Sequence, residues 1–219
     1  MKKFIFDIDG TLTPSRQQMD MSFMAWFIIF ECNHPVYLVT GSDRQKTIDQ
    51  VSLDVYNRAK RVYNCAGNAI YEKDKLVHQN PWTLSNDAKE FLIEDRPGCV
   101  NFSILGRGAN WQERQTYKEW DKEKNERVGI ARRFNKKFPD LYAFVGGETG
   151  VDISSKGSDK GQIIRDFSFE DDIHFFGDRM DKDGNDYPLA QEVDKRGGIN
   201  YHVDSWQDTF KKIKNILKV

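Results

Sequence analysis

Short apolar runs recur along this chain, each closing on Asp, Gly or Thr and most followed by a helical stretch, and this alternation most constrains the fold. Lys3 to Phe6, Val36 to Val39, Arg61 to Cys65, Ile173 to Phe176 and Ile199 to Val203 read as buried strands. Helices are expected over about Gln17–Glu31, from Ser42 or Asp43 to about Ala59, over Lys160–Phe167, Tyr187–Arg196 and Ser205–Val219. A hairpin is expected across Ala69 to Val77. Strands that alternate with helices in this way predict an α/β fold with a doubly wound, Rossmann-like parallel sheet.

The rhythm breaks once. Val100–Leu105, Leu141–Val145 and Thr149–Ile153 are strand-like, and Trp111 to Phe138 is long, charged and helical. The expected organisation is a core of residues 1–79 and 158–219, split by an inserted α+β cap of residues 80–157.

The chemistry gathers at the ends of these runs. In Asp7-Ile8-Asp9-Gly10-Thr11, two carboxylates and a permissive Gly stand where a strand ends, the edge at which open α/β sheets bind ligands. Side chains two apart on an extended chain share a face, so Asp7 and Asp9 can look into one cleft. One can attack phosphorus while the other handles protons, provided a cation neutralises the cluster. Thr40, after the second run, offers a hydroxyl to a phosphate oxygen, and Lys160 a fixed positive charge. Gly177-Asp178, followed by Gly184-Asn185-Asp186, supplies oxygen donors suited to magnesium. Each of these alone is an ordinary turn or cap; four edge sites in this order are not.

Taken together these segments resemble the haloacid dehalogenase superfamily. The resemblance implies that Asp7 is a nucleophile forming an aspartyl-phosphate and that Asp9 is the general acid/base. Thr40 and Lys160 would hold the phosphoryl group. Mg2+ would be bound by Asp7, the backbone carbonyl of Asp9 and Asp178, with Asn185 and Asp186 in support.

Within that superfamily the chain is similar to eukaryotic-type phosphomannomutases over nearly its whole length. The likeness rests on Phe6-Asp7-Ile8-Asp9-Gly10-Thr11-Leu12-Thr13-Pro14-Ser15-Arg16-Gln17, on Gly106-Arg107-Gly108 and Gln112-Glu113-Arg114 with Arg96 before them, and on Gly146-Gly147 through Val151-Asp152 to Ser158-Asp159-Lys160. It implies an enzyme interconverting mannose 6-phosphate and mannose 1-phosphate. Such an enzyme needs a second anion site remote from Asp7, and a guanidinium grips phosphate with paired hydrogen bonds. Arg96, Arg107 and Arg114 are the candidates, with Asp152 accepting from sugar hydroxyls and Arg16 near the cleft. Departures also exist. Thr40-Gly41-Ser42-Asp43 resembles the superfamily's sugar phosphatases, Gly150 stands where a serine is expected, and the stretch between Pro81 and Arg96 is short. A magnesium-dependent sugar-phosphate phosphatase is therefore the alternative.

Composition bounds the partners. A formal net charge of -1 with both signs mixed gives nothing to capture nucleic acid. The longest apolar stretch, Phe23 to Phe30, is too short to span a bilayer. Cys32, Cys65 and Cys99 lie far apart in sequence with no CxxC pair, so reduced thiols and a cytoplasmic protein are expected. The expected partner is a hexose phosphate, with a homodimer through the cap possible by the same resemblance.

Overall fold

A computed structural model describes residues 2–82, 94–106 and 108–218. Arg107 and the short stretch after Pro81 named above therefore lie outside, or largely outside, the described residues. The larger sheet contains β1 (Lys2–Phe6), β2 (Val36–Val39), β3 (Arg61–Asn64), β4 (Ala69–Glu72), β5 (Lys75–Gln79), β10 (Asp172–Gly177) and β11 (Ile199–His202), in the order β11-β10-β1-β2-β3-β4-β5. It is parallel except for the hairpin strands β4 and β5. The smaller sheet is antiparallel and runs β6 (Glu94–Arg96), β7 (Cys99–Ser103), β9 (Gly150–Ser155), β8 (Leu141–Gly146).

Residue alternation along β1 shows why the large sheet must be covered twice. Successive strand side chains point to opposite faces. Phe4 and Phe6 join the cluster built with Phe23, Phe27, Phe30 and Val55, whereas Ile5 joins Val39, Tyr63, Phe175 and Leu189 on the other side. The first cluster is closed by α1 (Met21–Asn33), α2 (Arg44–Arg58) and α6 (Trp206–Leu217), the second by α5 (Tyr187–Lys195) and a 3-10 helix over Lys160–Asp166. Each fully buried Phe contributes about 1.5–3 kcal/mol, so both faces matter to stability.

Several local expectations shift. α1 begins at Met21 because the Asp20 carboxylate caps it, accepting from the Ser22 and Phe23 amides at 3.0 Å each. It is not apolar because it is engulfed: Met21 and Ile29 face outward, 84% and 63% exposed. The helix expected from Lys160 is a 3-10 helix, Lys160–Asp166. The charged stretch from Trp111 is two helices, α3 (Trp111–Lys124) and α4 (Glu126–Lys137), broken at Asn125 in the left-handed conformation. The second helix covers the small sheet, packing Ala131 on Ala143, Val151 and Ile153. Cys65 and Cys99, 34 residues apart in the chain, meet in the fold, and the hydrogen bond of the Cys99 thiol to Cys65 is the main influence raising the Cys99 pKa, with burial next.

Strand order places the site. The chain passes from β1 outward to β2 and β3, then returns on the other side of β1 as β10. The switch point of the topology falls between β1 and β10, and the Asp7 amide donates to the Phe176 carbonyl across it at 2.9 Å.

Candidate active site

Asp7 follows β1, Asp178 follows β10 and Thr40 follows β2, so adjacent strands deliver all three to one edge. Lys160 is fully buried and bridges Asp7 and Asp186, its Nζ donating to Asp7 Oδ1 at 2.5 Å and Asp186 Oδ1 at 2.6 Å. The second Asp186 oxygen accepts from the Arg179 amide at 3.0 Å.

The electrostatics follow from this burial. Desolvation pushes the Asp7 carboxyl well above the usual range, opposed by Lys160 and reinforced by Asp186 and Asp178. Asp178 is pushed up to about 7, by burial first and then by Asp186. Burial works against a charged Lys160, but Asp186 and Asp7 outweigh it and raise its pKa, favouring the charged form. One lysine among three carboxylates leaves the cluster short of positive charge.

Asp7, Asp178 and Asp186 each offer a carboxylate oxygen within 4.8 Å of the others. An all-oxygen, charge-deficient set fits a hard divalent cation. Gly10 makes this approach possible: at φ +85, a Cβ on it would stand 2.5 Å from Asp178 Oδ2. Since Asp186 already serves Lys160 and Arg179, Asp7 and Asp178 have the freer oxygens. Asn185 lines the same cleft.

Asp9 is held differently. Its Oδ1 accepts from the Arg16 backbone amide at 2.7 Å and from Gln50 Nε2 at 2.9 Å. Arg16 therefore contributes its backbone here, while its exposed side chain lines the cleft. Gln50, buried on α2, also reaches the Thr13 hydroxyl at 3.2 Å. Nothing in the sequence marked Gln50, because it acts across 41 residues. Thr40 is buried, with Oγ1 accepting from the Ser42 amide at 3.1 Å.

The cleft is about 1260 Å³ and reaches from Asp7 and Asp9 to the small sheet and α3. Arg96 crosses it, donating from Nη1 to the Gly41 carbonyl at 2.8 Å and standing 3.8 Å from Asp152 Oδ1. Asp152 accepts from Asn101 Nδ2 at 2.6 Å. Val145 bridges to Gly184, and Arg132 pairs with Asp183 at 3.0 Å, so the two sheets are closed on each other at this edge. Arg114 is buried and does not line the cleft; its Nε lies 3.6 Å from Glu148 Oε2. Glu148, Lys118, Gln115 and Arg127 on the cleft wall were not singled out from sequence. They read there as ordinary polar surface on two helices and a turn.

Comparison with known proteins places this geometry. Among solved structures, a HAD subclass IIB sugar phosphatase matches with a TM-score of 0.63 at 13% identity, covering 100% of both chains. A haloacid dehalogenase-like hydrolase from Bacteroides thetaiotaomicron matches with a TM-score of 0.62 at 11% identity, covering 98% of this chain and 99% of the other. These likenesses establish a haloacid-dehalogenase fold carrying a cap, a mixed α/β class with a mostly parallel central sheet. A phosphomannomutase of Triticum aestivum is 30% identical, covering 97% of this chain and 94% of the relative. One of Saccharomyces cerevisiae is 28% identical, covering 98% and 94%. The profile of the family described as eukaryotic phosphomannomutase matches residues 82–219, and the chain belongs to that family.

Proposed function

We propose that this protein is a phosphomannomutase, an isomerase moving a phosphoryl group between the 6- and 1-positions of mannose through an aspartyl-phosphate at Asp7. Residues 1–79 and 158–219 serve as catalytic core and 80–157 as cap. The observation that carries this reading is a single cleft with Asp7 and Asp9 at one end and the cap's Arg96 and Asp152 facing them.

An Asp7 oxygen attacks phosphorus while the bond from phosphorus to the sugar oxygen breaks. Asp9, oriented by Gln50 and the Arg16 amide, gives its proton to that oxygen. The phospho-Asp7 so formed then meets the free hydroxyl of a sugar monophosphate: Asp9 takes that hydroxyl's proton, and the hydroxyl oxygen attacks the phosphoryl group and frees Asp7. The resulting bisphosphate turns end for end to present its other phosphate to Asp7. Lys160 holds Asp7 in place through both halves and, with Thr40, faces the transferring oxygens. Asp7 and Asp178, with the Asp9 carbonyl and support from Asn185 and Asp186, would hold magnesium, which when bound neutralises the carboxylates and the charge on the phosphoryl group.

Between the two ends, Arg96 and Asp152 hold the sugar, with Arg107 as the further cap arginine of the family's pattern, while Arg114 backs the cleft wall through Glu148. Among the described residues no helix is long and apolar enough to cross a membrane. The resemblance also implies a homodimer joined through the cap, which sedimentation velocity would decide. The functional test is incubation with mannose 1-phosphate, magnesium and a hexose bisphosphate. Mannose 6-phosphate is the expected product; inorganic phosphate as the sole product would replace the mutase with a sugar phosphatase.

A further inference from the structure

The wall of the cleft opposite Asp7 carries an anion of its own. Glu148 stands in the turn between β8 and β9, with a side chain only 12% exposed. Its Oε1 accepts from Gln115 Nε2 at 3.1 Å and Lys118 Nζ at 3.3 Å, and Arg114 Nε lies 3.6 Å from its Oε2. The turn cannot drift. Arg127 Nη1 donates to the Gly147 carbonyl at 2.8 Å, and Arg127 is itself fixed by buried Asp121 at 2.7 Å.

Gln115 and Lys118, with Arg114 beside them, rise from one stretch of α3, and all three turn their donors toward Glu148. Donors converging on one carboxylate are how a protein holds an anion. Gln115, Lys118 and Arg127 reach the cleft beside Glu148, whereas the Arg114 side chain, 7% exposed, stands behind it. A phosphate, with more acceptor oxygens than a carboxylate, would draw on the Gln115 and Lys118 donors that Glu148 holds. Against that gain, a dianion arriving here meets the Glu148 charge in a partly desolvated wall.

We propose that Glu148 is a built-in counter-anion that sets how tightly the cap holds a phosphate, and so is a specificity-determining residue of this site. The proposal rests on the mutase reading for its purpose. An intermediate phosphorylated at both ends has to be retained and yet must turn over, and Glu148 weakens the cap's hold enough for it to let go.

Equilibrium binding of a hexose 1,6-bisphosphate with magnesium present, by titration calorimetry at low and high salt on proteins that all carry Asp7→Asn, tests this with no phosphoryl transfer from the ligand. Glu148→Gln keeps the side-chain shape and the Gln115 and Lys118 contacts while removing the charge. It is expected to tighten binding about tenfold, equivalent to about 1.4 kcal/mol, and to steepen the salt dependence. Lys118→Ala in the same background should return most of that gain.

Weaker or unchanged binding by Glu148→Gln would overturn the proposal and leave Glu148 as a support for Arg114. So would failure of both proteins to bind the bisphosphate. Glu148→Ala gives a second reading of the same sign should the first variant fold poorly, as judged by thermal melting. Because the measurement is of binding, a protein that only hydrolyses sugar phosphates would refute the mutase reading and leave this result standing.

Discussion

The two ends of the cleft solve the same problem, holding charge out of water, in opposite ways. At the core end, Asp7, Asp186 and Lys160 are buried and locked together at 2.5 and 2.6 Å, with backbone amides and strand ends leaving them no alternative position. At the cap end, Glu148 is shared among Gln115, Lys118 and Arg114 at 3.1 to 3.6 Å, and the Lys118 side chain is 38% exposed. Chemistry at phosphorus needs an atom placed to a fraction of an ångström, which rigid strand ends provide. Handling a sugar that must be gripped at either end needs contacts that can be exchanged, and long side chains on a helix provide those.

The sharpest way to break that contrast is at the nucleophile. Asp7→Asn keeps the shape of the core end but removes the attacking oxygen anion, and phosphoryl transfer should fall by at least ~10³-fold. Steady-state assays of both isomerisation and phosphate release check this; unchanged rates would end the catalytic assignment of Asp7.

Lys160→Met comes next. Removing one partner of a buried ion cluster leaves like charges facing each other, at a cost of about 3–5 kcal/mol in unfolding free energy. Urea unfolding should show it, and part of the loss should return when magnesium is added, because the cation replaces the missing charge. Loss of stability under 1 kcal/mol would mean that the core end is less tightly coupled than its distances imply.

Glu31 sharpens the comparison from outside the cleft. It is a buried carboxyl on α1 with neither oxygen hydrogen-bonded among the described residues, and burial, only partly offset by Arg58, lifts its pKa to about 9. An isolated carboxyl is therefore kept neutral, where the clustered ones are paired. The sign follows from linkage: between about pH 4.5 and 9 the unfolded chain loses this proton while the folded protein keeps it, so stability falls as pH rises. Glu31→Gln should flatten that slope and stabilise the protein by ~1–3 kcal/mol at pH 8 relative to pH 4. Parallel pH profiles for the two proteins would remove Glu31 as the cause.

The smallest effect belongs to the contact between the two sheets. Arg132 and Asp183 pair at 3.0 Å, but the arginine side chain is 70% exposed. Arg132→Ala should change unfolding free energy by less than about 0.5 kcal/mol. A larger change in chemical denaturation would show that closure of the cap rests on this pair more than on Arg96 and Val145.

Much of the core end was readable before folding. The Asp7 segment, Thr40, Lys160 and Asp178 each mark the end of a strand or the start of a turn, and strand ends in a parallel sheet share an edge. The cap end was read only in part. Arg96 and Asp152 do face the cleft, but Arg114 points to Glu148, and Arg107 lies outside the described residues. Gln50 and Glu148 carried no signal because their partners come from other elements, and polar residues on helices and turns are ordinary surface until something is seen opposite them.

The sequence by itself determined the alternation that makes a two-faced parallel sheet, the two carboxylates after β1 and the family's overall pattern, because these depend on local periodicity and on side chains close in the chain. The tertiary structure alone decided which donors each carboxylate receives. It brought Lys160 to Asp7 across 153 residues, Gln50 to Asp9 across 41, and Glu148 to Lys118 across 30. Those pairings, set by strand order and the closing of the cap, determine which charges are fixed and which can be exchanged.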